Sequence, residues 1–117
     1  MLERELPHRI SNTELDIMQA VWANDGQMNY SQIWSVVGHN AKQTTQTLIT
    51  RLLNKGVLKQ EKREVYYYSP LVSKDDYRKA KTKELIERAY SGCAKSLVAA
   101  LLEQNLLTRD DIGQLVK

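Results

Sequence analysis

Residues 42–56, KQTTQTLITRLLNKG, decide how this chain is read. Thr45, Leu48, Ile49, Leu52 and Leu53 recur at helical spacing and make one apolar stripe. At about 100° per residue, Gln43, Thr47, Thr50 and Asn54 point the other way, with Thr44 and Arg51 flanking them. An ordinary solvated helix face pairs Glu with Lys. This face has no acid and is built from amides, hydroxyls and one guanidinium. Such groups hydrogen-bond base edges and phosphates without repelling them. A helix that buries one side and offers the other to DNA is the expectation, against the blander reading of a polar face with no role.

The flanking segments supply a frame for that helix. Ser11 and Glu14 have the spacing of a capping box, with Ile10 and Leu15 at the staple positions. Leu15, Met18 and Trp22, with Ile17 and Val21 beside them, form the expected buried stripe of a first helix, stopped by Asn24-Asp25-Gly26. Asn29 and Gln32 open a short second helix, with Ile33, Val36 and Val37 inward and Gly38 at its end. His39 and Asn40 then lead into the third helix, with Asn40 and Gln43 again at capping-box spacing. Two helices joined by a few residues including Gly is the helix-turn-helix pattern. After Gly56 the period changes, and 57–63 and 65–69 read as two short strands, the second rich in Tyr and ended by Pro70. Three helices followed by a basic hairpin is the order of a winged helix, with Lys59, Lys62 and Arg63 on or near the wing. Alternate strand residues face a core, so Tyr66, Tyr67 and Tyr68 read chiefly as packing residues.

The expected division is a winged helix-turn-helix domain over 1–71 and a helical region over 72–117. In the second part Ser73 and Asp76 cap a long charged helix that Ser91-Gly92 breaks near Tyr90. Leu97 to Leu102 are apolar on every side, and a helix that is dry all round must be buried all round. A second copy of the chain, through Leu97, Val98, Leu101 and Leu102, is the expected cover, ahead of packing back on the winged domain, because the charged helix before it reads as a spacer. Thr108 and Asp111 cap a last helix whose Ile112, Leu115 and Val116 would close the same interface.

Bulk properties bound the function. The chain has 117 residues, enough for one sound core with a small appended element. Its formal charge is +3, unevenly spread: −3 over residues 1–41, +4 over 42–68 and +2 over 69–117. The positive density falls on the candidate recognition helix and wing, where phosphate would need it. Cys93 is the one cysteine, which excludes an internal disulfide and implies a reducing compartment. It follows Gly92 and reads as a small buried side chain. His8 and His39 lie far apart, with no Cys or carboxylate at metal-ligand spacing, so neither a metal nor another cofactor is expected. No apolar run reaches membrane-spanning length, and MLERELPHR lacks the apolar core of a signal peptide, giving a cytoplasmic expectation.

Four segments, ISNTELDIMQAVW (10–22), TTQTLITRLLNKG (44–56), YYYSPLVSKDDY (66–77) and AKSLVAALL (94–102), resemble the BlaI/MecI/CopY family of bacterial repressors. The resemblance covers nearly the whole chain, and TLITRL with the following Lys-Gly is its most specific part. It implies a homodimeric winged helix-turn-helix repressor controlling β-lactam resistance or copper-export genes. At the family's DNA-facing positions this sequence has Gln43, Thr44 and Thr47, with Arg51 behind. There are departures. The usual Trp-Ser before the recognition helix is Asn40-Ala41, the usual Trp of the first helix is Leu15, and Arg63-Glu64 form the tip of a wing one residue shorter. Copper-responsive members end in a Cys-x-Cys motif, which this sequence lacks, so metal sensing is not expected. Members inactivated by proteolysis are cut at an Asn-Phe bond; the matching place is Ala100-Leu101, so the same cleavage is not implied.

The expected function is therefore a sequence-specific DNA-binding repressor, a homodimer on double-stranded operator DNA. Lys42, Gln43, Thr44, Thr47, Arg51, Lys62 and Arg63 are its candidate DNA contacts, and Leu97, Val98, Leu101, Leu102, Ile112 and Leu115 its candidate dimer contacts. A winged helix used only for protein contact is the alternative; it predicts an acidic or apolar face on 42–54, and the face is neither. An enzyme needs a base oriented against a nucleophile, and neither histidine has a recognisable partner motif.

Overall fold

The computed structural model describes residues 10–38 and 42–116, with the side chains of Lys42 and Gln43 outside that description. The chain divides into two compact units, Met1–Ala80 and Lys81–Lys117.

Helix α1 (Asn12–Ala23) begins on the expected capping box: Glu14 N–H donates to Ser11 Oγ at 3.2 Å, and Ser11 N–H donates to Glu14 Oε1 at 3.0 Å. Its buried face is Glu14, Ile17, Met18, Ala20 and Val21. That face is rotated from the expected stripe: Leu15 and Trp22 are only half-buried, and Glu14 is drawn inside. Trp22 sits at the rim because its indole N–H donates to the Val72 carbonyl at 3.0 Å. The helix stops where Asp25 (φ 59) and Gly26 (φ 75) turn left-handed, with Gly26 N–H returning to the Val21 carbonyl at 2.9 Å. A Cβ at Gly26 would also press to 3.4 Å from the Pro70 ring.

A two-residue strand β1 (Met28–Asn29) follows, which sequence reading missed, since two residues have no period. Asn29 and Gln32 cap α2 (Tyr30–Val36) reciprocally, each bond 2.9 Å. Ile33 and Val37 are buried; Val36, expected inward, is 62% exposed. In so short a helix only the i, i+4 pair reaches the core. His39 and the Asn40 cap lie outside the described residues.

Helix α3 (Lys42–Asn54) buries Thr45, Leu48, Ile49 and Leu52, with Leu53 half-buried. It ends in a Schellman motif: Val57 N–H reaches the Leu52 carbonyl at 3.3 Å and Gly56 N–H the Leu53 carbonyl at 3.1 Å. Gly56 carries the φ of 78° this requires.

Strands β2 (Leu58–Lys62) and β3 (Tyr66–Pro70) pair antiparallel from Leu58 opposite Pro70 to Lys62 opposite Tyr66. Arg63 N–H donates to the Val65 carbonyl at 3.0 Å across the tip. The sheet order is β1-β3-β2, so β3 is central. Tyr68 enters the core, Tyr67 is half-buried and Tyr66 is exposed.

Helix α4 (Lys74–Ala89) opens with Asp76 N–H on Ser73 Oγ at 3.0 Å. Tyr77 is buried, its ring centroid 5.6 Å from that of Trp22. The first unit therefore runs through Ala80, beyond the residue-71 boundary expected from sequence. The second unit holds the rest of α4, a turn with Ser91 (φ 51) and Gly92 (φ 81), α5 (Ala94–Glu103) and α6 (Arg109–Leu115). Thr108 and Asp111 cap α6 reciprocally, as the sequence proposed. Among the described residues of this unit no side chain is buried. Cys93, expected to be buried, is exposed at the N-cap of α5, and a hydrogen bond from Ser96 lowers its thiol pKa.

Candidate nucleic-acid interface

The apolar stripe of α3 pins that helix against the core of the first unit, which forces its polar residues outward. Thr44, Gln46, Thr47, Thr50, Arg51 and Asn54 are all exposed. The first turn of α3 carries no acid, and Arg51 stands in the last turn. Lys42 begins this helix and Gln43 follows it, one turn before Gln46 and Thr47; both side chains lie outside the described residues.

Lys62 and Arg63 sit at the hairpin tip, both exposed, and each is held against a tyrosine. Lys62 Nζ lies 6.0 Å from the Tyr66 ring centroid and the Arg63 guanidinium 4.9 Å from that of Tyr67. Arg63 also pairs with Glu61 at 3.3 Å, so part of its charge is already answered. Lys59 is exposed on β2. The expected DNA contacts thus form two sets, one on α3 and one on the hairpin.

Between these sets lies a groove of about 600 Å³ that sequence reading did not assemble. Asn29, Tyr30 and Ser31 wall it at the start of α2, Gln46 on α3, and Gln60, Val65, Tyr66 and Tyr68 on the hairpin. Burial raises the Tyr68 phenol pKa, and the Gln46 side chain beside it opposes that shift. No single segment carries the groove, so no local pattern could have announced it.

Sequence reading also missed what fixes the far end of α3. Lys55 Nζ meets Glu14 Oε1 at 2.6 Å, and Glu14 is 2% exposed. Burial alone would raise the Glu14 pKa, but the Lys55 ammonium and the Ser11 N–H outweigh it and hold the carboxyl below its ordinary value. The pair clamps the start of α1 to the end of α3, 41 residues apart in sequence.

The candidate dimer residues are all more exposed than a core residue. Leu97, Leu101, Leu102 and Ile112 are half-buried, Val98 is 38% exposed and Leu115 is 77% exposed. Leu106 and Val116 are exposed beside them in sequence. No described helix is long and apolar enough to cross a membrane.

A helix-turn-helix whose second helix turns an acid-free polar face outward, followed by a basic hairpin, defines the winged helix-turn-helix class. The penicillinase repressor family model matches residues 10–117, and the chain belongs to that family of repressors. It is 28% identical over 116 residues to the penicillinase repressor of Bacillus licheniformis, covering 92% of this chain and 86% of that one. It is 30% identical over 117 residues to the methicillin resistance regulatory protein MecI of Staphylococcus aureus strain N315, covering 92% and 90%. Bacillus licheniformis BlaI, solved as a monomeric form in complex with the blaP half-operator, is similar with a TM-score of 0.52 and 29% identity, over 59% of this chain and 88% of that one. The resemblance read from the four sequence segments is thereby borne out.

Proposed function

We propose that this protein is a cytoplasmic, sequence-specific DNA-binding repressor, not an enzyme, acting as a homodimer on an operator with two half-sites. The observation that carries the reading is the exposed, acid-free face of α3, held outward by a fully buried opposite face. A BlaI relative with 29% identity is found with a half-operator, which supports the same use of this face. Gln43, Thr44 and Thr47 at the front of α3 read bases, and Lys42, Arg51, Lys62 and Arg63 meet phosphates. The second unit supplies self-association: its described apolar side chains are half-buried or exposed, and a second copy would cover them. Two-fold association would set two recognition helices at the roughly 34–36 Å spacing of half-sites one turn apart. The relatives named above are penicillinase and methicillin-resistance regulators, which favours a resistance operon over a copper-export operon as the target.

Footprinting on the DNA upstream of the protein's own gene tests this. Two protected half-sites related by a dyad are expected, with protection weakening as salt rises. Uniform coating of the DNA without a footprint, or no binding at low salt, would refute it.

A further inference from the structure

Among the described residues, the groove beside α3 is lined by hydroxyls, amides, aromatic rings and Val65, and by no charged side chain. Its position is continuous with both candidate contact sets. Gln46 forms one wall and lies one helical turn from Thr50 on the exposed face of α3. Tyr66 forms the other wall and carries Lys62 over its ring. A duplex that takes α3 in its major groove and the hairpin alongside must pass one sugar–phosphate strand between them. Hydroxyl and amide side chains hydrogen-bond phosphate and sugar oxygens, and an aromatic edge packs on deoxyribose. Gln46 on α3 and Tyr68 on the central strand both line the groove, so its walls belong to one packed unit.

We propose that this groove, through Ser31, Gln60 and Tyr66, is an uncharged seat for one strand of the operator's sugar–phosphate backbone. This rests on the DNA-binding reading above and adds a class of contact that charge counting cannot find. A neutral hydrogen bond to phosphate displaces no condensed counterion, whereas a lysine contact does. The seat therefore raises affinity without adding to the salt dependence, and it acts on any sequence alike.

The test is a comparison of Ser31→Ala, Gln60→Ala and Tyr66→Phe with Lys62→Gln, measured on operator and on unrelated duplex across a salt series. All four positions are exposed, and thermal melts check that the variants fold as the parent does. Each groove variant is expected to lose about 3- to 10-fold in affinity on both duplexes, the scale of one net hydrogen bond. Their slope of log affinity against log salt should match the parent, while Lys62→Gln lowers it by roughly 1. Parent affinity in all three groove variants would overturn the seat while leaving the DNA-binding reading intact. A loss accompanied by a lowered slope would also overturn it, because the groove would then act through the wing cations. Failure of the parent itself to bind any duplex would remove both readings together.

Discussion

The two units differ in what they do with their apolar residues. In the first, Ile17, Met18, Val21, Ile33, Ile49, Leu52 and Val57 are all buried, and one core serves α1 to α3, the sheet and Tyr77 of α4. In the second, α5 and α6 carry Leu97, Val98, Leu101, Leu102, Ile112 and Leu115 without burying any of them. Burial of an aliphatic side chain stabilises by about 1.5–3 kcal/mol, so the first unit holds its own driving force for folding. The second leaves its apolar side chains half-buried or exposed. We infer that these helices hold part of a core that is completed from outside.

The largest stability effect should fall in the first unit alone. Ile49→Ala removes a fully buried side chain from α3 and should cost about 2–5 kcal/mol. Leu115→Ala, at a residue 77% exposed, should leave that unit's stability unchanged. Both tryptophans, Trp22 and Trp34, lie in the first unit, so denaturant unfolding followed by fluorescence reads it selectively. Equal losses for the two variants would erase the distinction between the units.

The Glu14–Lys55 clamp comes next. Lys55→Met leaves a carboxylate that is 2% exposed without its partner, at a cost of about 2–3 kcal/mol, somewhat below that of a fully buried pair because Lys55 is itself 30% exposed. The pH dependence has a definite sign. The folded pKa of Glu14 is depressed, so its contribution is present above the ordinary carboxylate value of 4.5 and is lost as pH falls through the folded value below it. In Lys55→Met burial is no longer opposed by the ammonium and the depression of the Glu14 pKa shrinks, so acidification should remove less stability from the variant than from the parent. Urea midpoints taken from about pH 7 to about pH 3 check this; parallel curves for the two proteins would place the pair outside the stability of the fold.

A smaller effect belongs to readout. Gln43→Ala should weaken operator binding by about 1–3 kcal/mol and relax preference at one base pair, since an amide pairs bidentately with adenine. Competition with single-base operator variants decides it. A uniform loss on every sequence would mean that Gln43 touches only phosphate.

Much of this was legible locally. The capping boxes at Ser11–Glu14, Asn29–Gln32 and Thr108–Asp111 each lie within four residues, and each is present in the structure. The α3 stripe was legible for the same reason, because one helix carries both the buried and the exposed set. What escaped depended on distant partners. Glu14 reads as an ordinary capping carboxylate until Lys55 is brought beside it. Strand β1 exists because Met28 and Asn29 pair with Tyr68 and Tyr67, not because of its own two residues. The groove draws its walls from α2, α3 and the hairpin, so its residues share no spacing. Val36 and Cys93 stand outside although their residue types favour burial, because helix phase exposes the first and the N-cap position of α5 the second.

If the second unit is half a core, a second copy of the chain completes it. Sedimentation of the parent and of Leu101→Asp, alongside operator binding and tryptophan fluorescence, tests it most directly. A carboxylate at Leu101 cannot be buried in an apolar interface without a large penalty. A dimeric parent and a monomeric variant with an unchanged first-unit unfolding curve are expected. Operator affinity of the variant should fall about 100-fold or more through lost bivalency. A variant that stays dimeric, or a monomer that holds the full operator as tightly as the parent, would contradict it.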